Sequence, residues 1–256
     1  METINIVMAV YNGEAYIREQ IESILASTYK NWVLTIYDDG SKDHTEELVR
    51  EYVSQYPNQI QYVKNEKNLG HMNNFLTGAK KSQYDYVCFS DQDDVWNEDK
   101  LEITYHYMKE AEQKMTTLQP VVVFTDAQIV NQDLQELHPS FHQNSQLNTN
   151  ALDFPHMLME NKMMGCTMMI NRKVIDSLEE LPVNGRFHDW WIGLIASGLG
   201  TIVYAPVATM KYRQHEKNVV GNISFLQYVK KRLLGLKEQK NALHLTILQP
   251  QELARS

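Results

Sequence analysis

The first ninety residues change hydrophobic period again and again, and this alternation limits the fold more than any other feature. Residues 4–10 are a buried-strand run, and Glu14 to Ala26 then sets Ile17, Ile21, Ile24 and Leu25 on one helical face. Trp32 to Tyr37 reads as a second strand. A helix capped by Ser41, Asp43 or a neighbour follows, running through Leu48, Tyr52 and Val53 towards Pro57. Ile60 to Val63 is a third strand, Met72 to Ala79 a short helix and Tyr84 to Phe89 a fourth strand. Strands joined by helices of this length require right-handed crossovers, so an α/β fold with a mainly parallel sheet is expected. Such sheets bind ligands at the carboxyl ends of their strands. The polar clusters Tyr11-Asn12-Gly13, Asp38-Asp39-Gly40-Ser41 and Asp91-Gln92-Asp93-Asp94 all fall on that edge.

The last cluster is the most pointed. Tyr86-Val87-Cys88-Phe89 ends in three carboxylates within four positions, an arrangement that raises their pKa values and repels. Oxygen ligands on short side chains suit Mg²⁺ or Mn²⁺, which commonly shares its coordination with substrate phosphates. The alternative is a solvated acidic turn before a helix that begins near Asn97.

A chain of 256 residues, 43% hydrophobic and 22% charged, accommodates one large domain, alone or with an appendage. Residues 3–10 form a strand pattern with no basic leader, and no apolar run reaches bilayer-spanning length, so a cytosolic protein is expected. Cys88 and Cys166 sit in apolar runs, as reduced buried thiols do. From Lys211 to Lys240 eight basic residues face Glu216 and Glu238, a local +6 that leaves −14 on residues 1–210 of a chain whose net charge is −8. This asymmetry points to an anionic surface and argues against nucleic acid, which the acidic body would repel. Within the basic stretch, Phe225, Leu226, Val229, Leu233 and Leu236 share one helical face. A helix over 223–236 can lie on an anionic membrane, pack on the body of the protein, or form a homodimer contact.

The motifs Ala9-Val10-Tyr11-Asn12, Asp38-Asp39-Gly40-Ser41, Asn68-Leu69-Gly70 and Asp91-Gln92-Asp93-Asp94 come in the order and spacing of family 2 glycosyltransferases. The chain resembles these inverting, nucleotide-sugar-dependent enzymes over about residues 3–215. Ser90-Asp91-Gln92-Asp93-Asp94-Val95-Trp96, Gly165-Cys166-Thr167-Met168 and Tyr212-Arg213-Gln214-His215 are similar to bacterial rhamnosyltransferases that build surface polysaccharides. The resemblance implies a GT-A fold with a Rossmann-like nucleotide-binding half. It divides the chain into a catalytic domain, 1–215, with a nucleotide-sugar half (1–95) and an acceptor half (96–215), and a C-terminal helical extension, 216–256.

The resemblance also implies roles. Ala9, Tyr11 and Asn68 match donor-binding positions. Asp39 matches the carboxylate that accepts the N3–H of uracil or thymine, Asp91 the acid facing ribose and metal, and Asp93 the direct ligand of Mn²⁺ or Mg²⁺. His215 stands where some relatives place a third metal ligand. Asp189 is the general-base candidate for the acceptor hydroxyl. Asp94 reads as a helix-starting residue. Many relatives carry Glu-Asp where this chain has His188-Asp189. It also lacks an arginine near 71–74, leaving the diphosphate to the metal, Lys64, Lys67 or His71. The donor implied is dTDP-rhamnose or a UDP-sugar, and the acceptor a saccharide or lipid-linked saccharide. A sugar-nucleotide pyrophosphorylase would need a Gly-rich loop with a basic residue after strand one, which is missing. The methionines around Gly165, together with Trp190 and Trp191, read as core more than as acceptor wall. Residues 131–150 read as a long polar loop.

Overall fold

The structure, a computed structural model, describes residues 2–215 together with 248, 249, 252 and 253. Its first part is β1 (Ile4–Val10), α1 (Ile17–Leu25), β2 (Trp32–Asp38), α2 (Thr45–Gln55), β3 (Ile60–Lys64), α3 (His71–Lys81) and β4 (Tyr86–Ser90), the alternation expected. β1 pairs in parallel with β2 and β4, and β2 with β3. Along β1 the side chains alternate: Ile4, Ile6 and Met8 join Ile17, Ile21 and Ile24 of α1 in one layer, while Val7 joins Phe75, Leu76 and Ala79 of α3 in the other. Two helical faces on two sheet faces bury both sides of a parallel strand.

The strand order, β3-β2-β1-β4, reverses direction between β1 and β4, and a crevice opens at that switch point. The second part supplies β5 (Val95–Trp96), α4 (Lys100–Gln113), β6 (Val121–Val130), β7 (Glu136–His138), α5 (Phe141–Asn144) and α6 (Phe154–Met159). It continues through a 3₁₀ turn at Gly165–Thr167, β8 (Met168–Asn171), α7 (Arg172–Asp176), α8 (His188–Leu199) and β9 (Thr201–Arg213). β8 lies antiparallel between β4 and β6, whereas β9 runs parallel to β6 and returns to pair with β5. That return carries Arg213 to the acidic turn after β4, where its backbone N–H donates to Asp94 Oδ1 at 3.1 Å.

Three expectations change. Residues 131–150 contain β7 and α5, ordered by Asn131, whose side-chain oxygen accepts from the N–H groups of Asp133 and Gln135, and by Ser140, which caps α5. Asp94 does not start a helix: it is fully buried ahead of β5, and the N-cap of α4 is Asp99. Arg213, counted in sequence among the eight basic residues of 211–240, lies in the interior, 2% exposed with its guanidinium 4.7 Å from the Tyr16 ring. Cys88 and Cys166 are free and buried, as expected.

The proposed helix 223–236 lies outside the described residues. Near the C-terminus, Glu252 accepts from the N–H groups of Val183 and Asn184, and Gln249 from that of Arg186, tying the chain end to the loop before α8. No helix among the described residues is long and apolar enough to cross a membrane.

Helix α3 packs on the sheet without clearance at Gly78, where a Cβ would stand 2.5 Å from Val7 Cγ1 and 2.9 Å from the Tyr37 ring. Alanine gains up to about 1 kcal/mol over glycine in helix propensity, while overpacking typically costs about 1–3 kcal/mol. Gly78→Ala should therefore lower stability in urea denaturation; a gain would show that the helix shifts freely on the sheet.

Candidate active site

The turns after β1, β2 and β4 are knitted together by side chains. Gln92 Oε1 accepts from the Tyr11 N–H at 2.8 Å, and Asn12, in the left-handed region at φ 51°, accepts from the Lys42 N–H through Oδ1. The Asn12 and Gly13 N–H groups donate to the hydroxyls of Ser41 and Thr45. Asp38 is fully buried and turns the chain, accepting from the N–H groups of Gly40 and Ser41 through one oxygen and from the Tyr62 hydroxyl through the other.

Asp39 does something sequence reasoning missed. Its Oδ1 accepts from Leu69 N and Asn65 Nδ2, its Oδ2 from Gly70 N at 2.8 Å, and Asn68 Nδ2 donates to its carbonyl. It therefore holds the Asn68-Leu69-Gly70 turn. A carboxylate has about four acceptor positions, so Oδ2, taken once by Gly70, keeps one open.

The cleft measures ≈ 1250 Å³, and its lining includes Ala9, Tyr11, Asp39, Asn68, Asp91 and Asp93. Asp189 lines the far side, with Asn161, Met163, Met164, Arg186 and Trp190. All the site residues named from sequence except His215 thus line one cavity, and His215 Nε2 stands 2.8 Å from Asp93 Oδ2 while its ring stacks on Tyr16. Lys64 is held by Glu46 at 2.6 Å, whereas His71 Nε2 lies 3.4 Å from Asp91 Oδ1.

The carboxylates titrate differently because their surroundings differ. Burial pushes the Asp91 carboxyl up, but the His71 hydrogen bond and charge outweigh it and hold Asp91 below the usual range. For Asp94, burial and then the charges of Asp93 and Asp91 all push upward, leaving it well above its ordinary value. The Cys166 thiol is pushed up by burial and then by the charges of Asp94 and Asp91. The ligand atoms of Asp91, Asp94 and Cys166 lie within 4.8 Å of one another, and Asp94 Oδ2 is buried with no hydrogen-bond partner. An ionised Asp91 and an adjoining Asp93–His215 pair fit a divalent cation, while Asp94, driven towards its neutral form, stands behind them.

Across the cleft, Asp189 occupies the first turn of α8 and accepts from the Trp190 N–H at 2.7 Å. Burial raises its pKa to about 6, against the downward pull of the Trp190 N–H and the Asn161 amide. His188, beside it, is packed differently. Burial, then the neighbouring His71, lower it to about 3, and it stacks on Phe75 at 4.2 Å. Its ring also accounts for Gly165, where a Cβ would fall 2.2 Å from His188 Nε2. Met157, Met168 and Met169 are core, as are Trp190 and Trp191, while Met159 is 80% exposed at the cleft.

Glycosyl transferase family 2 matches residues 5–178. The chain is 29% identical over 246 residues to "dTDP-rhamnosyl transferase RfbG" of Shigella flexneri, covering 91% of this chain and 80% of that protein. It is 24% identical over 254 residues to the "Putative teichuronic acid biosynthesis glycosyltransferase TuaG" of Bacillus subtilis, covering 93% and 95%. The mannosyltransferase PcManGT from Pyrobaculum calidifontis, solved with GDP-Man and Mn²⁺, superposes with a TM-score of 0.62 at 15% identity. That superposition covers 84% of this chain but only 58% of the other. The fold is therefore that of the GT-A glycosyltransferases.

Since Asp189 has its pKa above its ordinary value of 3.8, ionising it costs stability at neutral pH, and that cost is relieved as pH falls through about 6. Asp189→Asn should raise the unfolding free energy at pH 8 by on the order of 1 kcal/mol, seen as a higher melting temperature, and change it little at pH 4. A variant destabilised at pH 8 would mean the carboxylate is stabilised there.

Proposed function

The chain belongs to glycosyl transferase family 2 and is a glycosyltransferase; we propose that its donor is dTDP-rhamnose. The acceptor in this reading is a saccharide or lipid-linked saccharide of surface-polysaccharide synthesis, the kind of process named for the Bacillus subtilis relative. One observation carries it: an acidic donor-side cluster and a carboxyl poised near neutrality face the same cleft at the strands' carboxyl ends.

Asp39 Oδ2, with its open acceptor position, takes the N3–H of the pyrimidine, and Ala9, Tyr11 and Asn68 line the nucleoside's path. Asp91, Asp93 and His215 would hold Mn²⁺ or Mg²⁺, which supplies charge neutralisation for the departing diphosphate. His71, beside Asp91, adds a cationic group where the family arginine is missing. Asp189 takes the acceptor hydroxyl proton as that oxygen attacks the anomeric carbon from the face opposite the diphosphate. One displacement inverts the centre. A UDP-sugar donor is the second reading, because uracil and thymine offer the same N3–H to Asp39.

Three measurements test this. dTDP and UDP should bind at least about tenfold more tightly than CDP, whose ring nitrogen has no proton to donate; equal affinities would remove Asp39 from base recognition. Asp189→Asn should leave donor binding unchanged and slow transfer about 10²–10⁴-fold, and the wild-type rate should fall as pH drops below about 6. Asp93→Asn or excess chelator should abolish turnover, the chelator reversibly with added Mn²⁺. Full activity in chelator would defeat the assignment of Asp91, Asp93 and His215 together.

A further inference from the structure

A second titratable pair lies buried behind the acceptor side of the cleft, formed by residues that sequence reasoning did not connect. β6 breaks register at Asp126, and bulges of this kind re-aim side chains. Asp126 meets His142, the second residue of α5, with Nδ1 at 2.9 Å from Oδ1. Asp126 also accepts from the backbone N–H groups of Ala127 and His142 and from the Ser140 hydroxyl. The imidazole, 4% exposed, sits among the rings of Phe124, Phe141 and Tyr204. Its other nitrogen, Nε2, lies 3.0 Å from the carbonyl oxygen of Lys162.

That carbonyl is the point of interest. Lys162 lies between Asn161 and Met163, both of which line the cleft. Asn161 folds back on Met163, accepting from its N–H and donating to its carbonyl, each at 3.1 Å, and its amide also faces Asp189. A buried imidazole bridging a carboxylate and a main-chain carbonyl fixes both ends of the link.

We propose that Asp126 and His142 are positioning residues that fix the Asn161–Met164 wall of the cleft against Asp189. This rests on Asp189 being the base and on that wall facing the acceptor. Neither residue touches the reacting atoms. They act through Lys162, whose main chain carries Asn161 to the base.

Two variants separate the ends of the link. In His142→Gln the amide reaches the Nε2 position and keeps the bond to Lys162. In His142→Asn it reaches only the Nδ1 position, keeping Asp126 and releasing Lys162. Hydrogen–deuterium exchange of residues 160–165 and the Asp189 titration followed by tryptophan fluorescence, with Asp189→Asn as blank, need no sugar transfer. His142→Asn should speed exchange in that segment about tenfold, move the Asp189 titration to higher pH and raise the acceptor KM about tenfold, with nucleotide Kd unchanged. His142→Gln should stay within about twofold of wild type in all four. Two variants alike in exchange and titration, differing from wild type only in melting temperature, would overturn the proposal. If neither folds, Asn161→Ala at the cleft surface must give the same upward shift of Asp189, and its failure to do so would equally overturn it. A wild-type protein that transfers no sugar would count against the proposed function, while exchange and titration would still decide the positioning role.

Discussion

Three carboxylates within four residues repel one another, and the interior of this protein is arranged around one arginine that restrains them. Arg213 donates its backbone N–H to Asp94, its Nε to the Asp93 carbonyl at 2.8 Å, and its terminal nitrogens to the Gln132 carbonyl and Glu19. From the last residue of β9, its guanidinium reaches the turn after β4, the turn after β6 and helix α1. The acidic turn is thereby anchored through its main chain and its innermost carboxyl. Asp91 and Asp93 are left at the cleft. A buried charge removed from such a network typically costs about 3–5 kcal/mol, because its partners stay buried.

The anchoring explains why the two halves of the sheet need each other. The parallel half, β3-β2-β1-β4, forms the crevice but ends in an acidic turn that it does not neutralise. The mixed half brings β9 back beside β5, and with it both Arg213 and His215. It also brings α8, whose first turn carries Asp189 across the cleft. Lys100 extends the same logic behind the site: fully buried, it sits 4.9 Å from the Trp96 ring and donates to Thr209 Oγ1. Burial lowers its pKa.

The parallel half was legible in the sequence because each element buries a periodic face. Ile17, Ile21 and Ile24 recur at helical spacing, and β1 carries an unbroken apolar run. The positions of Asp39, Asp91 and Asp93 were legible for a different reason: polar residues directly after strands must reach the sheet's carboxyl edge, whereas Asp189 was legible only through the family resemblance. What was not legible depends on long-range contacts. Asp94 and Arg213 meet across 119 residues, and Asp126 and His142 across a loop that composition presents as polar and irregular. Asp39 looked like a base-binding residue. Its backbone partners at Leu69 and Gly70 lie 30 and 31 residues away, and no local pattern announces them.

The central claim is a division of labour within the acidic turn: Asp91 and Asp93 face cation and diphosphate, while Asp94 is held inward. Anomalous scattering from Mn²⁺ in crystals grown with dTDP or UDP tests it most directly. The account predicts one strong peak bounded by Asp91, Asp93 and His215, in contact with the diphosphate. A peak seated among Asp91, Asp94 and Cys166, or none at saturating Mn²⁺, would contradict it.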